Sequence, residues 1–347
     1  DRRTFDGRRN RRYRAARDSP TRGQLVVSRA SNTTIGYIAS TVGALLFGLN
    51  GVVIKILMDG TGLTGFQVTQ FRVAGAALLM GATMLVINRS ALRLRRKQIV
   101  PIVSMGVAVA SLQATYAIAV HILPVGIALL LEYTATLAVA LIAYFVFKEQ
   151  VKARIWIAIA LVLSGLVVVA EIWNTTLDPI GVLWALMASA SLTAYFILGE
   201  RQTDAMHPMA VGFWTMTVAT VFWSFLSGWW TINPAIFLNN VALTTDPAGA
   251  HGPAWMLMLV NIVVGTYFSF ALSLFAISRL KATRAGIVAT SEILFAFLFA
   301  FVLLGETLNI GQIVGATVVL IGIIVAQTAR EGHAVEADLA LVLEDTK

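Results

Sequence analysis

Ten long apolar segments follow one another along this chain, and they constrain its fold more than any other feature. Of its 347 residues, 58% are hydrophobic and 13% are charged. A soluble chain of this length needs more polar surface to cover its core, whereas segments of about 20 apolar residues match helices that cross about 30 Å of hydrocarbon. We therefore predict an all-α polytopic membrane protein with ten transmembrane helices. The predicted spans are 34–58, 66–88, 99–120, 123–147, 152–172, 179–199, 207–230, 253–278, 281–304 and 308–328.

The 26 Lys and Arg residues are unevenly distributed between the connections. Ten Arg lie between Arg2 and Arg29, and the even-numbered connections hold most of the rest, whereas the odd-numbered connections hold none. Because cytoplasmic loops collect Lys and Arg, both termini are predicted to be cytoplasmic in a multi-pass protein of the bacterial cytoplasmic membrane. The net charge of +8 then reflects topology and contact with anionic lipid head groups rather than nucleic-acid binding.

The two halves of the chain carry similar landmarks. Glu132 and Glu292 each follow a glycine by six residues, and Gly165 and Gly322 each follow a glutamate by sixteen. Because five spans is an odd number, a second copy enters the membrane from the opposite face, which is the inverted-topology repeat of many secondary transporters. The predicted organisation is an Arg-rich disordered arm over 1–33, two five-helix repeats over 34–172 and 179–328, and a cytoplasmic tail over 329–347.

Short motifs lie near the start of the first half and near the end of the second half. They comprise residues 43–50, Lys55 and 71–72 in the first half, and residues 289–292 and 303–308 in the second. They resemble the EamA-like drug/metabolite transporter superfamily over about residues 35–328, and 128–141 is similar to its threonine/homoserine exporter branch. The resemblance implies a transporter of small metabolites. The family often has Glu-Pro where this chain has Glu292-Ile293, so no proline is present to break the helix there.

Glu132 and Glu292 are predicted to lie near the bilayer centre. At 1.5 Å per residue, each lies roughly 14–17 Å from the end of its predicted span. An intramembrane carboxylate is energetically costly and normally faces a cavity or a partner. Both residues are therefore candidates for binding a substrate ammonium group and for proton coupling. The alternative is a structural role, with each carboxylate held by hydrogen bonds from a neighbouring helix.

Lys55 and Arg72 are the two cations inside predicted spans, and both lie in the outer third of their helices. Lys55 is a candidate for binding a substrate carboxylate. The alternative is that its ammonium group extends to the head groups, because Lys55 is close to the helix end. Arg72 is deeper, so it either braces Glu132 or binds a substrate carboxylate, for which a guanidinium fork is well suited.

Polar and aromatic side chains supply further candidates for a substrate pocket, because rings with a polar tip suit small amphiphiles. These candidates are Asn50, Gln113, Tyr116, Tyr133, Tyr195, Trp214 and Tyr267. Helix packing and interfacial aromatic belts are the alternative roles for such residues.

The sequence gives no sign of an enzyme. Cysteine is absent, and the four histidines are scattered without metal-ligand spacing, so we predict no catalytic residue, metal or cofactor. The prediction is a secondary active transporter that exports amino acids or related zwitterions by alternating access, with antiport against protons as one source of energy. A broad-specificity drug or metabolite carrier with structural glutamates, and a passive channel, remain the alternatives.

Overall fold

Ten helices make up most of the described chain. The computed structural model describes residues 22–135, 137–138, 141–142, 153–169, 177–203, 206–244, 250–280 and 288–325. The first five helices are α1 (Arg22–Thr61), α2 (Gly65–Asn88), α3 (Arg96–Ile122), α4 (Val125–Glu132) and α5 (Ala153–Val169). The others are α6 (Pro179–Thr203), α7 (Pro208–Leu226), α8 (Ala254–Leu280, formed by Ala254–Ile262, a π-helical segment Val263–Phe268 and Ser269–Leu280), α9 (Ser291–Leu304) and α10 (Ile310–Val325).

The helices have the length, composition and outer surface of a multi-pass membrane protein. Five are long and apolar enough to cross a membrane: Thr34–Thr61, Gly65–Leu92, Arg96–Ile122, Pro208–Leu226 and Ala254–Ala276. Large apolar side chains such as Leu78 and Phe225, each 75% exposed, project outward. Exposed apolar surface on this scale suits contact with lipid rather than water.

Two helices differ in length from the predicted spans. Helix α1 begins at Arg22, so 22–33 of the predicted disordered arm is helical, and 1–21 lies outside the described residues. The candidate membrane span within α1 is Thr34–Thr61, which begins at the predicted residue 34. No proline interrupts the chain from Arg22 to Thr61, so nothing local stops the helix from starting early. Helix α7 ends at Leu226 rather than at 230, because Gly228 adopts φ +67°, a left-handed conformation that ends a helix.

Specific caps and turns set the other helix ends. Thr64 and Gln67 form a capping box at the start of α2. Pro124 lies in the tight turn between α3 and α4, and Pro208 occupies the first turn of α7, where its missing N–H is not needed. Gly305, at φ +63°, follows the end of α9.

Packing in the bundle is pairwise. Helix α1 packs against α8 and α9, α6 packs against α3 and α4, and α2 packs against α7. Helices α5 and α10 approach closely at Gly165 and Gly315, where a side chain on either glycine would collide with the opposite backbone. Small residues at such crossings permit close helix packing in membranes. The main apolar core lies between α1, α3, α4, α6 and α9.

The segment between α7 and α8 covers one end of the bundle. It contains two 3₁₀ turns, Trp229–Thr231 and Pro234–Leu238, and an antiparallel pair of strands, β1 (Asn240–Ala242) and β2 (His251–Pro253). Val241, which pairs with Gly252, is buried against Gly60 in the last turn of α1. We call this the Lys55 end of the bundle, and the opposite end, at the α2–α3 connection, the Arg89 end.

Candidate functional site

Arg72 lies inside the bundle on α2 and is only partly hydrogen-bonded. It is 3% exposed, and its Nε donates to Thr266 Oγ1 of α8 at 3.2 Å. Its Nη1 atom has no partner among the residues that the structure describes. An unpartnered buried donor of a charged group is costly, so this nitrogen is chemically suited to bind an anion.

Glu132 and Glu292 both lie beside a break in a helix. Helix α4 ends at Glu132, and a turn follows at Tyr133–Thr134 before helical residues resume at 135. Helix α9 starts at Ser291 after a turn at Thr290, so Glu292 lies in its first turn although no proline is present. Discontinuous helices at membrane depth are tolerated where they line a cavity or are covered by protein.

The two glutamates have different partners. The Tyr133 hydroxyl donates to Glu292 Oε2 at 2.7 Å and so joins α4 to α9. Glu132 is 8% exposed, and its Oε2 atom has no hydrogen-bond partner in the described ranges. Glu292 is therefore tied to the neighbouring helix, whereas one oxygen of Glu132 remains able to accept a hydrogen bond.

One positive and two acidic side chains share this interior region. Arg72, Glu132 and Glu292 are close enough to interact electrostatically, and Tyr116 lies within the same range. Within the described chain, however, neither carboxylate lies within 4.0 Å of the guanidinium. The charges are therefore grouped but not locked into a direct ion pair.

Tyr116 and Gln113 bring further unpartnered polar atoms, and both lie on α3. The Tyr116 hydroxyl contacts the backbone of Gly51 on α1, where a side chain would collide with it, and has no hydrogen-bond partner in the part of the chain described. The Gln113 Nε2 atom lies 3.5 Å from Met216 Sδ, and its Oε1 atom is likewise without a partner there. Both side chains are buried.

Asn50, another predicted pocket residue, is committed to a contact between helices. Its Oδ1 atom accepts a hydrogen bond from Asn261 Nδ2 at 2.8 Å, and both residues are buried. We did not predict a role for Asn261 or Thr266 from the sequence. A signal was present, because an Asn inside a predicted span is costly without a polar partner. The π-helical register that brings Thr266 to Arg72 could not be predicted from apolar periodicity.

Lys55 lies apart from this group, at the Lys55 end. Its Nζ atom donates to Glu306 Oε1 at 2.6 Å and to the Leu123 carbonyl at 3.1 Å. The second carboxylate oxygen of Glu306 accepts the backbone N–H of Val125 at 3.0 Å. The ammonium group thus has a carboxylate partner inside the protein and does not extend alone toward the head groups.

Three predicted aromatics also have other contacts. Trp214 donates its indole N–H to the Leu92 carbonyl at 3.1 Å, at the Arg89 end. The Tyr267 hydroxyl lies 2.7 Å from Thr83 Oγ1. Tyr195 is half-buried and packs among apolar side chains that include Val109 and Ile102. The described residues contain no cluster of three or more His, Cys, Asp or Glu side chains that could hold a metal ion.

Comparisons with known proteins agree with this architecture. The threonine/homoserine exporter RhtA of Salmonella typhimurium strain SL1344 is 25% identical over 229 residues, which are 66% of this chain and 71% of the relative. The exporter of the same name from Escherichia coli K12 is 25% identical over 220 residues, covering 63% and 68%. An uncharacterized transporter of Archaeoglobus fulgidus is 24% identical over 213 residues, covering 61% and 71%.

A solved crystal structure supports the fold independently of close sequence similarity. It is 16% identical and superposes with a TM-score of 0.57 over 87% of this chain and 98% of the other. The sequence model of the EamA-like transporter family matches twice, over residues 34–170 and 179–328. Together these matches span most of the chain, and this protein therefore belongs to the EamA-like transporter family.

Proposed function

We propose that this protein is a secondary active transporter that exports amino acids or related zwitterions across the bacterial cytoplasmic membrane by alternating access. The observation that carries the proposal is the interior group of Arg72, Glu132 and Glu292. It combines one cation with two carboxylates that lie at helix breaks. Arg72 and Glu132 each have a polar atom without a hydrogen-bond partner in the described part of the chain.

The unpartnered atoms are complementary to the two charged groups of a zwitterion. A substrate carboxylate accepts hydrogen bonds from the Arg72 guanidinium, whose planar fork fits a carboxylate. A substrate ammonium group donates to the free oxygen of Glu132. The buried Tyr116 hydroxyl, which has no hydrogen-bond partner among the described residues, supplies a further donor or acceptor.

Glu132 and Glu292 also offer a route to proton coupling. A carboxyl group inside the membrane can exchange a proton with whichever side is open. Glu292 is held by the Tyr133 hydroxyl, whereas Glu132 faces the proposed ligand. Competition between a proton and the substrate ammonium group at Glu132 would couple export of the substrate to entry of a proton.

Reciprocal packing supports the two inverted repeats, 34–172 and 179–328, on which alternating access depends. In these repeats α1 corresponds to α6, α3 to α8, and α4 to α9. The pairs α1–α8 and α1–α9 then correspond to α6–α3 and α6–α4. Gly36 of α1 and Gly181 of α6 lie at equivalent positions near the starts of the two repeats. Their surroundings are alike, because Leu280 of α8 packs on Gly36 and Leu123 packs on Gly181. With ten helices and Arg-rich connections at the Arg89 end, both termini are cytoplasmic in this proposal.

The relatives favour amino acids as the substrate class. Two of them are threonine/homoserine exporters that share a quarter of their aligned residues with this chain. Threonine and homoserine each carry the carboxylate and ammonium groups that Arg72 and Glu132 are proposed to bind.

Counterflow in proteoliposomes tests this function. Liposomes loaded with an unlabelled amino acid are expected to accumulate external labelled L-threonine, faster when a pH gradient is imposed. Glu132→Gln should accumulate far less label and should lose the response to the pH gradient. Asp178→Asn is the matched control, because it makes the same carboxyl-to-amide change at the exposed start of α6, where Asp178 accepts the Ile180 N–H. If no amino acid in a broad panel competes with the label, the proposed substrate class is wrong.

A further inference from the structure

The π-helical segment of α8, Val263–Phe268, places Thr266 opposite Arg72. π-Helical turns are rare and occur frequently at functional sites. Here two side-chain hydroxyls bond carbonyls five residues earlier, Thr266 to Asn261 at 2.9 Å and Ser269 to Val264 at 2.8 Å. Each hydroxyl thus bonds the carbonyl one π-helical turn before it, which matches the i to i+5 register of this segment.

Neighbouring helix α1 holds this segment in place. Gly265 lies directly against the Asn50 amide, where any side chain on residue 265 would collide. That amide in turn accepts the hydrogen bond from Asn261, the residue whose carbonyl Thr266 bonds. Thr266 and Asn261 are both 0% exposed. The orientation of Thr266 is therefore fixed from two sides.

The Thr266 hydroxyl has a defined direction. Because its proton is donated to the Asn261 carbonyl, its lone pairs face the other way and accept the N–H of Arg72 Nε at 3.2 Å. In the described residues, Thr266 is the only hydrogen-bond partner of Arg72. Engaging Nε leaves the terminal nitrogens, including the unpartnered Nη1, for a ligand.

We propose that Thr266 is a positioning residue, which fixes the Arg72 guanidinium through Nε so that its terminal nitrogens meet the substrate carboxylate. This inference rests on the proposed function for the identity of the ligand, but the geometry of the arginine is a property of the free protein. Without the hydroxyl, the guanidinium keeps its charge and loses its fixed orientation, so substrate binding weakens while the transport cycle remains intact.

Two variants of Thr266 and one control separate positioning from general packing. Thr266→Val keeps the shape and removes the hydroxyl, and Thr266→Ser restores it. Thr215→Val is the matched control, since Thr215 is also buried and its hydroxyl bonds only carbonyls of its own helix α7. Labelled L-threonine is the probe in counterflow, with initial rates measured over a range of concentrations.

We expect Thr266→Val to raise KM about tenfold, as loss of one hydrogen bond to a charged group would, with the maximal rate changed less than about twofold. Thr266→Ser and Thr215→Val should stay within about twofold of the parent in both constants. An unchanged KM in Thr266→Val, or an equal rise in Thr215→Val, would overturn the proposal.

A structure of Thr266→Val without substrate tests the positioning independently of transport. The guanidinium of Arg72 should leave its parental position, whereas in Thr266→Ser it should stay. An unmoved guanidinium in Thr266→Val would overturn the inference even if amino acids are transported. Conversely, failure of the parent to transport any amino acid would count against the proposed function alone, because the displacement of Arg72 would still be observed.

Discussion

Lys55 and Arg72 are both cations within apolar helices, yet their surroundings differ. Lys55 is paired with Glu306 at 2.6 Å and also bonds a backbone carbonyl, and the carboxylate of that pair is itself bonded to Val125. Among the residues that the structure describes, Arg72 has a single neutral partner, Thr266, and neither Glu132 nor Glu292 lies within 4.0 Å of its guanidinium. Lys55 therefore contacts a counter-ion, whereas the Nη1 atom of Arg72 has no hydrogen-bond partner in the described residues.

This difference separates the roles of the two residues. A partly buried ion pair such as Lys55–Glu306 resists breaking, because removing one partner leaves the other charge without its counter-ion. A buried charge with free donors has a strong interaction still to make, and a ligand can make it. We infer that Lys55 fastens the Lys55 end of the bundle, joining α1 to the α3–α4 and α9–α10 turns, and that Arg72 binds substrate.

Arg72→Gln should give the largest effect on transport. Losing a charged, bidentate contact to a substrate carboxylate corresponds to about 3 kcal/mol, or roughly a 100-fold fall in the transport rate at low substrate. Arg72→Lys should recover little of it, because an ammonium group cannot reproduce the fork. Counterflow of labelled L-threonine, normalised to reconstituted protein, measures both. Lys55→Gln serves as the control and should leave KM within about twofold; an equal rise in KM would remove the distinction between the two cations.

Glu132→Gln and Glu292→Gln should differ, with the larger effect at Glu132. We expect roughly a 30-fold loss of transport for Glu132→Gln, because its free oxygen is proposed to bind the ammonium group, and about tenfold for Glu292→Gln. Transport by Glu132→Gln should also lose its response to pH. Initial rates across a pH series for parent and variants measure both properties. If correctly inserted Glu132→Gln works as well as the parent at every pH, the coupling role is wrong.

Lys55→Met should act on stability rather than on affinity. Breaking the partly exposed pair leaves Glu306 without its counter-ion, and we expect a loss of about 2 kcal/mol in the free energy of unfolding, below the range for fully buried pairs. Thermal unfolding in detergent measures it as a lower Tm. The double variant Lys55→Met/Glu306→Met should recover part of the loss. Additive effects of the two substitutions would show that the pair contributes no coupling energy.

Trp214→Phe should give the smallest effect. It removes one indole hydrogen bond to Leu92 at the Arg89 end, which corresponds to about 1 kcal/mol of stability. Unfolding temperature should fall slightly while KM for L-threonine remains unchanged. A clear rise in KM would show that Trp214 contributes to substrate binding.

The sequence predicted the helices better than the site. Apolar length alone predicts ten helices, since hydrocarbon thickness sets the length of each one. The described chain has ten, and five of them are long and apolar enough to cross a membrane. Intramembrane charge also identifies Arg72, Glu132 and Glu292 as residues that need a partner or a ligand. Charge does not reveal which partner each side chain has. Lys55 and Glu306 lie 251 residues apart, and only the folded bundle brings them together.

Thr266 is a residue whose role could not be predicted from the sequence at all. Threonine is common in membrane helices, and nothing in its neighbourhood predicts that the helix will widen by one residue at Val263–Phe268. In the folded bundle, Gly265 of this segment packs directly against Asn50 of α1, which is a tertiary contact between distant parts of the chain. Local propensity cannot supply that information.

Competition in counterflow by L-threonine and by its methyl ester, measured on the parent and on Arg72→Gln, tests the central claim most directly. The ester keeps the ammonium group and lacks the carboxylate. If Arg72 binds the carboxylate, the free acid should outcompete the ester strongly in the parent, and the two should compete almost equally in Arg72→Gln. The same discrimination in both proteins would contradict the assignment of Arg72 as the carboxylate ligand.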